Sequence, residues 1–288
     1  QTTASPASTT FYGSDASWVD FDNDGDLDAF FVDGPDYNNS QENASKLFRN
    51  NGDGTFTFVS TAIFDTSGSD YEPFSASWGD YNNDGRQDLF ISNESEQATA
   101  RNRLYLNNGD GTFTKMTTSL VMELQTSPTF GGTWGDINND GRLDLLVVKT
   151  GANIIYLNQG SGVFTKVVNE KFNDPYYYNF GIALADYDKD GFLDAVLGTI
   201  DPSLFEEFGQ SQGPQPGHLL FRNNNTSGNW LQIKLIGAES NRSAIGARIR
   251  VRVTGLTFQY RQVLNHTAFF GQNSSIAHFG LGTEPDLD

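Results

Sequence analysis

The chain has 288 residues, with 36 Asp and Glu against 18 Lys and Arg, three His and no Cys. A formal net charge of −18 argues against a nucleic-acid partner, because phosphate recognition is built on Lys and Arg. Zero Cys excludes a disulfide scaffold, a thiolate zinc site and a Cys nucleophile, and no apolar run approaches the ~20 residues of a membrane-spanning helix. Aromatic residues at 13% argue for a packed core despite the acidity.

In chain order, residues 1–10 are small and polar and read as an N-terminal tail. With neither an initiator Met nor a charged-then-apolar leader, the expectation is a processed or trimmed start at Gln1. Four segments then align without gaps: Trp18–Asp28, Trp78–Asp88, Trp134–Asp144 and Leu184–Asp194. Their first aspartates, Asp20, Asp80, Asp136 and Asp186, are 60, 56 and 50 residues apart. Each segment runs into a short apolar stretch. A second unit follows each first one: Leu47–Phe56, Leu104–Phe113 and Ile155–Phe164, with a weaker copy at Leu219–Trp230. Apolar runs flanking an Asn/Gly/Asp turn predict hairpins, because that turn needs positive φ.

Each unit therefore reads as strand, acidic loop, strand, connection, strand, Gly turn, strand. Four strands per ~55 residues predict an all-β chain of β-propeller blades. A β-solenoid or a string of hairpins fits less well, because the period is too long for a solenoid coil. No helix-period pattern is sustained. Three further strands are expected at Arg248–Val253, Thr257–Leu264 and Ser275–Phe279, enough for an imperfect fifth blade closing the ring. Trp18, Trp78 and Trp134 are expected between blades.

The acidic loops share Asp-x-[Asp/Asn]-x-Asp-Gly-x-x-Asp. Oxygens at positions 1, 3 and 5 converge when the loop curls, Gly at position 6 permits the curl, position 7 can offer its carbonyl, and Asp at position 9 closes the shell. The expected donors are Asp20, Asp22, Asp24, Asp26 and Asp28 in the first loop, and Asp80, Asn82, Asp84, Arg86 and Asp88 in the second. They are Asp136, Asn138, Asp140, Arg142 and Asp144 in the third, and Asp186, Asp188, Asp190, Phe192 and Asp194 in the fourth. Asp26, Arg86, Arg142 and Phe192 would act through the backbone carbonyl. All-oxygen ligation suits Ca2+ better than the tighter, more hydrated Mg2+. The competing reading is a solvated acidic turn with no ion; four copies in register weigh against it. The missing Glu at position 12 and the lack of flanking helices exclude an EF-hand. Four ions of charge +2 would bring the net charge from −18 to about −10, relieving self-repulsion. Lying between strands, the loops read as structural rather than catalytic.

These loops resemble the FG-GAP/VCBS repeat family, the calcium-loop blades of integrin α-subunit propellers and of many bacterial secreted proteins. Phe130-Gly131 and Phe180-Gly181 match the family's Phe-Gly; Phe74-Ser75 departs from it, and the first repeat has Tyr12-Gly13-Ser14 there. The four repeats cover residues 11–235. The remainder, 236–288, resembles the ASPIC/UnbV segment of cartilage acidic protein and its bacterial relatives, through Asn229–Gly237, Ser240–Arg248 and His278–Gly282. That segment normally continues beyond Asp288, so a truncated or processed chain is expected. The resemblance implies an extracellular, calcium-stabilised propeller used for adhesion or recognition, with no named ligand.

In up-and-down blades the acidic loops and Gly turns share one face. The longer connections share the other: Asp33–Ser45, Thr61–Pro73, Thr117–Pro128, Lys166–Tyr178 and Thr199–Gly217. A protein or glycan ligand is expected on that second face. Tyr176–Tyr178 could stack on sugars, although packing between blades is the favoured reading. Phe205–Phe208 reads equally as a partner lid or a channel cover. Asp65, Ser67 and Ser69 match the adhesion motif of von Willebrand A domains but lack the α/β context it needs. Eight Asn-x-Ser/Thr sequons occur, at Asn38, Asn43, Asn93, Asn224, Asn225, Asn241, Asn265 and Asn273. His218, His266 and His278 are scattered, so no catalytic residue and no enzyme is expected. The readings are, in order, an extracellular adhesion or recognition module, a self-assembling surface subunit, and a carbohydrate-active enzyme. Zero Cys leans towards bacterial export.

Overall fold

The computed structural model describes residues 13–34, 45–59, 64, 72–97, 99–124, 127–174, 178–199, 217–239, 241–253 and 257–283. Outside the described residues lie the tail 1–10, Tyr12, Asp65, Ser67, Ser69, Tyr176, Tyr177, Phe205–Phe208, Asn38, Asn43 and most of three of the long connections. Two of the repeats begin with an inner strand of seven residues rich in small and aromatic side chains: β5 Pro73–Gly79 and β9 Thr129–Gly135. The corresponding strands are β1 Gly13–Val19 and β13 Asn179–Ala185.

Blade one is β1, β2 Asp28–Asp33, β3 Lys46–Asn50 and β4 Phe56–Val59, paired antiparallel in sequence order. Blade two follows with β5, β6 Asp88–Asn93, β7 Arg103–Asn107 and β8 Phe113–Lys115. Blade three is β9, β10 Asp144–Lys149, β11 Ile154–Gly160 and β12 Val163–Val167. Blade four has three strands among the described residues: β13, β14 Asp194–Thr199 and β15 Leu219–Phe221. The inner strands stand side by side in chain order, β1 beside β5, β5 beside β9 and β9 beside β13.

Each junction between blades is an apolar layer. Trp78 crosses Phe30 edge-on at 5.4 Å, and Trp134 stacks on Tyr81 at 6.0 Å. Two glycines make room: a Cβ on Gly79 would lie 2.7 Å from Trp134, and one on Gly135 2.5 Å from Leu184. Such buried aromatics are each worth about 3–5 kcal/mol against truncation to Ala. Trp78 and Trp134 are buried as expected, but Trp18 is 43% exposed. It occupies the same place on blade one, where no preceding blade lies over it among the described residues.

The C-terminal strands appear where the sequence places them, as β17 Arg248–Arg252, β18 Phe258–Gln262 and β19 Ala277–Gly282. Their pairing differs from the consecutive strands of a fifth blade. β16 Asn229–Ile233 pairs with β19 and β17 with β18, giving two two-stranded sheets. The expected hairpin Leu219–Trp230 likewise opens, because its Asn-Asn-Asn-Thr-Ser turn lacks the Gly-Asp-Gly or Gly-Ser-Gly of the other three and β16 leaves to join β19.

The Phe-Gly pair explains the course of the segment between β18 and β19. Phe74, Phe130 and Phe180 form a column, at 5.3 Å and 4.0 Å centroid spacings, with Phe269 at 4.5 Å from Phe74. A Cβ on Gly181 would sit 2.7 Å from the Phe270 carbonyl, so Gly there admits the passing backbone. Ser77 Oγ donates to Thr267 O and Phe269 N to Ser75 Oγ. Asn273 ties Thr133 and Leu184 of two neighbouring inner strands.

Candidate metal centres

The four acidic loops leave the inner strands and return as β2, β6, β10 and β14, so position 1 directly follows one strand and position 9 starts the next. Local backbone demands account for the consensus. Position 6 has φ of +95, +89, +88 and +90 at Gly25, Gly85, Gly141 and Gly191, a region a Cβ disfavours. Position 4 is also left-handed, at Asn23, Asn83, Asn139 and Lys189, where Asn is the best-tolerated residue after Gly.

Inside loops two, three and four the same bonds recur. Asp84, Asp140 and Asp190 each donate their backbone N–H to Oδ1 of position 1, at 3.0–3.1 Å. The position-6 amides donate to Oδ2 of position 1, at 2.8–3.0 Å. Position 7 donates its N–H to the position-5 carboxylate in all four loops, at Asp26, Arg86, Arg142 and Phe192. Carboxylate oxygens of Asp20, Asp22 and Asp28 lie within 4.8 Å of one another, as do those of Asp186, Asp188 and Asp190.

Position 9 behaves differently from the other donors. Asp28, Asp88, Asp144 and Asp194 are buried, and Oδ1 of each accepts the backbone N–H of Asn50, Asn107, Asn158 or Asn223, at 2.8–2.9 Å. Oδ2 of Asp28, Asp144 and Asp194 accepts the position-2 amide, at 3.1 Å. These aspartates clamp the loop to the third strand of their own blade. Burial pushes Asp28 up to about 7 and lifts Asp88 and Asp144 well above the usual carboxylate range, against those backbone donors. Burial likewise raises Asp80 and Asp136 to about 6, and raises Asp20 and Asp22. Clustered carboxylates that are costly to ionise as they stand, all oxygen and part-buried, fit a hard divalent cation. Asp20 Oδ1 and Asp22 Oδ1 are buried without a hydrogen-bond partner, which leaves them available to a cation.

Arg86 and Arg142, expected to serve through their carbonyls, also bring their side chains. Each donates Nε to the Asn107 or Asn158 carbonyl and pairs Nη2 with Asp84 or Asp140. In loop four Arg222 of the β15 end takes this role, at 2.6 Å from Asp188 and 3.0 Å from Asp190.

Two sets of asparagines connect loops across blades, a role that their sequence pattern does not show. Asn23, Asn83 and Asn139 donate Nδ2 to the carbonyls of Gly85, Gly141 and Gly191 in the next loop, at 2.9–3.1 Å. Asn107, Asn158 and Asn223 donate Nδ2 back to Phe21, Tyr81 and Ile137 of the preceding loop, at 2.7–2.8 Å. The sequence carries only the repetition itself, an Asn at position 4 of three loops replaced by Lys189 in the fourth.

The C-terminal segment sits on these loops. Gly280 N donates to Asp136 Oδ2 at 2.9 Å, and Gln232 Nε2 to Asp186 Oδ2 at 2.8 Å. Arg248 Nη2 donates to Gly85 O, and His278 Nε2 pairs with Asn139 Oδ1 at 2.7 Å. Arg261 is attracted by Asp80, Asp136 and Asp144 while its Nε and Nη1 hold the His278 and Tyr260 carbonyls. A cavity of about 110 Å³ beside it is lined by Asp80, Asp136, Trp134 and Asn273. Burial and Arg261 depress His278 to about 4, leaving it neutral. Among the sequons, Asn93 and Asn273 are committed to internal hydrogen bonds, whereas Asn224, Asn225 and Asn241 are exposed.

Comparison with known proteins follows the same division of the chain. The family described as FG-GAP-like repeat matches residues 20–91, 80–147 and 136–197. The family described as ASPIC and UnbV matches residues 237–288. No curated protein matches the chain significantly. A solved structure similar to it is an Agrocybe aegerita lectin, described for its recognition of non-reducing terminal N-acetylglucosamine, at 15% identity and a TM-score of 0.41. The alignment covers 87% of this chain and 66% of the lectin, so the chain spans slightly less than two thirds of that protein.

Proposed function

This chain belongs to the FG-GAP-like repeat family, and from that premise we propose that it is an extracellular calcium-binding propeller module for adhesion or recognition. The observation that supports the calcium reading is the buried oxygens of Asp20 and Asp22 without a hydrogen-bond partner, within loops of one repeated geometry. Positions 1, 3, 5 and 9 of each loop would hold the ion, with the position-7 carbonyl. Position 9 would keep the loop closed through its backbone donors. When bound, Ca2+ would supply the positive charge that lets the clustered carboxylates ionise together. The role is structural, fixing the loop ends of the blades.

A protein or glycan ligand would bind the face opposite the loops, since the C-terminal segment covers the loop face. Two connections on that opposite face are themselves packed. Val121 and Met122 of the 3-10 turn Leu120–Met122 are buried, as is Phe172, while Leu124 and Val168 are exposed. No helix among the described residues is long and apolar enough to cross a membrane. The reading is of a secreted or surface module, with bacterial export favoured, and of binding without turnover.

The test is a screen of immobilised glycans and extracellular-matrix proteins in millimolar Ca2+ and again after chelation. Saturable binding that is lost with the metal supports the proposal. Turnover of an acidic polysaccharide, or binding indifferent to calcium removal, contradicts it.

A further inference from the structure

At every junction between blades, two hydrogen-bonded chains run from one acidic loop to the next and touch the expected metal donors. The first passes through position 4. Asn23, Asn83 and Asn139 donate across the junction to the carbonyls of Gly85, Gly141 and Gly191. The N–H of that same peptide unit belongs to Arg86, Arg142 or Phe192, and it donates to the position-5 carboxylate of Asp84, Asp140 or Asp190 at 2.9–3.1 Å. A single peptide thus lies between the asparagine of one loop and a metal donor of the next. Bonds on both sides of one peptide polarise and strengthen each other.

The second chain runs through position 9. Phe21 N donates to Asp28, Phe21 O accepts Asn107 Nδ2, and Asn107 N donates to Asp88. Ile137 and Asn223 join Asp144 to Asp194 in the same way. Asn158 links Tyr81 O to Asp144 at the middle junction.

The crossing bond also has a conformational side. Asn23, Asn83 and Asn139 have φ of +64, +59 and +58, a region that disfavours a side chain. Asn23 and Asn83 leave Oδ1 buried without a partner, so each is placed for what its Nδ2 reaches.

We propose that the four loops take up calcium cooperatively, an ion in one loop raising the affinity of the loops beside it. The proposal rests on the calcium reading. An ion that closes one loop fixes its position-5 carboxylate, and with it the peptide that receives the preceding loop's asparagine. That asparagine then holds the left-handed turn of its own loop, which closes on its ion with less order left to impose. The coupling acts equally in both directions. Repulsion between neighbouring ions opposes it. Loop two, however, with three aspartates, Arg86 and one ion of charge +2, carries no net charge, and loop three repeats that balance.

The test is equilibrium calcium binding to the 288-residue chain, read with a fluorescent calcium indicator at constant ionic strength. Wild type should bind with a Hill coefficient of about 2. Asn83→Gly keeps the left-handed backbone accessible and removes the bond between loops two and three. It should lower the Hill coefficient towards one and weaken the mean affinity by about fivefold. Asn23→Gly repeats the test at the first junction. Asn108→Ala is the control, because that side chain bonds Thr112 and Thr114 of its own exposed turn, and it should bind as wild type does. A loss of stability alone would lower the melting point and leave the Hill coefficient unchanged. Independent or negatively cooperative sites in wild type, or variants as cooperative as wild type, would overturn the coupling and leave the calcium reading standing. Absence of calcium binding would overturn both.

Discussion

At Asp28, Asp88 and Asp144, burial and backbone donors pull in opposite directions, and burial wins. Without metal the folded chain therefore holds protons that the unfolded chain, with Asp near 3.9, gives up. Stability from these groups is full below about pH 4 and is lost as pH rises through 6 for Asp80 and Asp136 and 7 for Asp28. His278, depressed to about 4, works the other way between pH 4 and 6.5, but it is one group against several. The metal-free protein should melt lower at pH 7.5 than at pH 5. Saturating Ca2+ should invert that order, because metal and protons compete for the same oxygens. Scanning fluorimetry in metal-free and calcium buffers reads both; a metal-free melting point that rises with pH contradicts the assignment. Asn158 offers a second residue test. It is fully buried and donates to Tyr81 O and Leu143 O while accepting from Gly160 N. Replacing it with Leu strands two buried carbonyls and an amide, at roughly 1–3 kcal/mol apiece before relaxation. Urea denaturation of Asn158→Leu in calcium should show a loss of at least about 2 kcal/mol; a loss under 0.5 would deny it a part in joining blades two and three.

At the scale of elements, the blades were legible because each demand recurs. Gly at position 6, Asp at position 9 and Asn-Gly turns repeat in register, and a four-stranded antiparallel blade is the element that uses them all. The C-terminal segment carries no period, so only its strands could be read, and pairing β16 with β19 depends on contacts more than forty residues apart in sequence. Its seating on the loops was illegible for the same reason. Gln232, Gly280 and Arg261 resemble any strand residues until the fold brings them to Asp186, Asp136 and Asp80. Trp18 shows the converse limit, since its motif is shared with Trp78 and Trp134 and its exposure is set by a neighbouring blade. Because loop and segment share Oδ2 of Asp136 and Asp186, metal binding and seating should be linked, and linkage is reciprocal. Hydrogen exchange should therefore show β16–β19 deprotected on chelation before the blade sheets. Gln232→Ala should weaken binding at the fourth loop by a few fold. Equal protection of the segment with and without calcium would separate the two.

At the scale of the whole molecule, a chain with net charge −18 has twelve or more of its carboxylates gathered at one end of four blades. Arginines 86, 142, 222 and 261 offset part of that charge, and the proposed ions would offset most of the rest. The most direct test of the account is calorimetric titration of the metal-free chain with Ca2+, paired with melting points before and after. The account predicts saturable binding at about four sites, reduced by about one for Asp80→Asn, Asp136→Asn or Asp186→Asn, with a melting point raised by several degrees. Absence of calcium binding, with a melting point unmoved by metal or chelator, would contradict it.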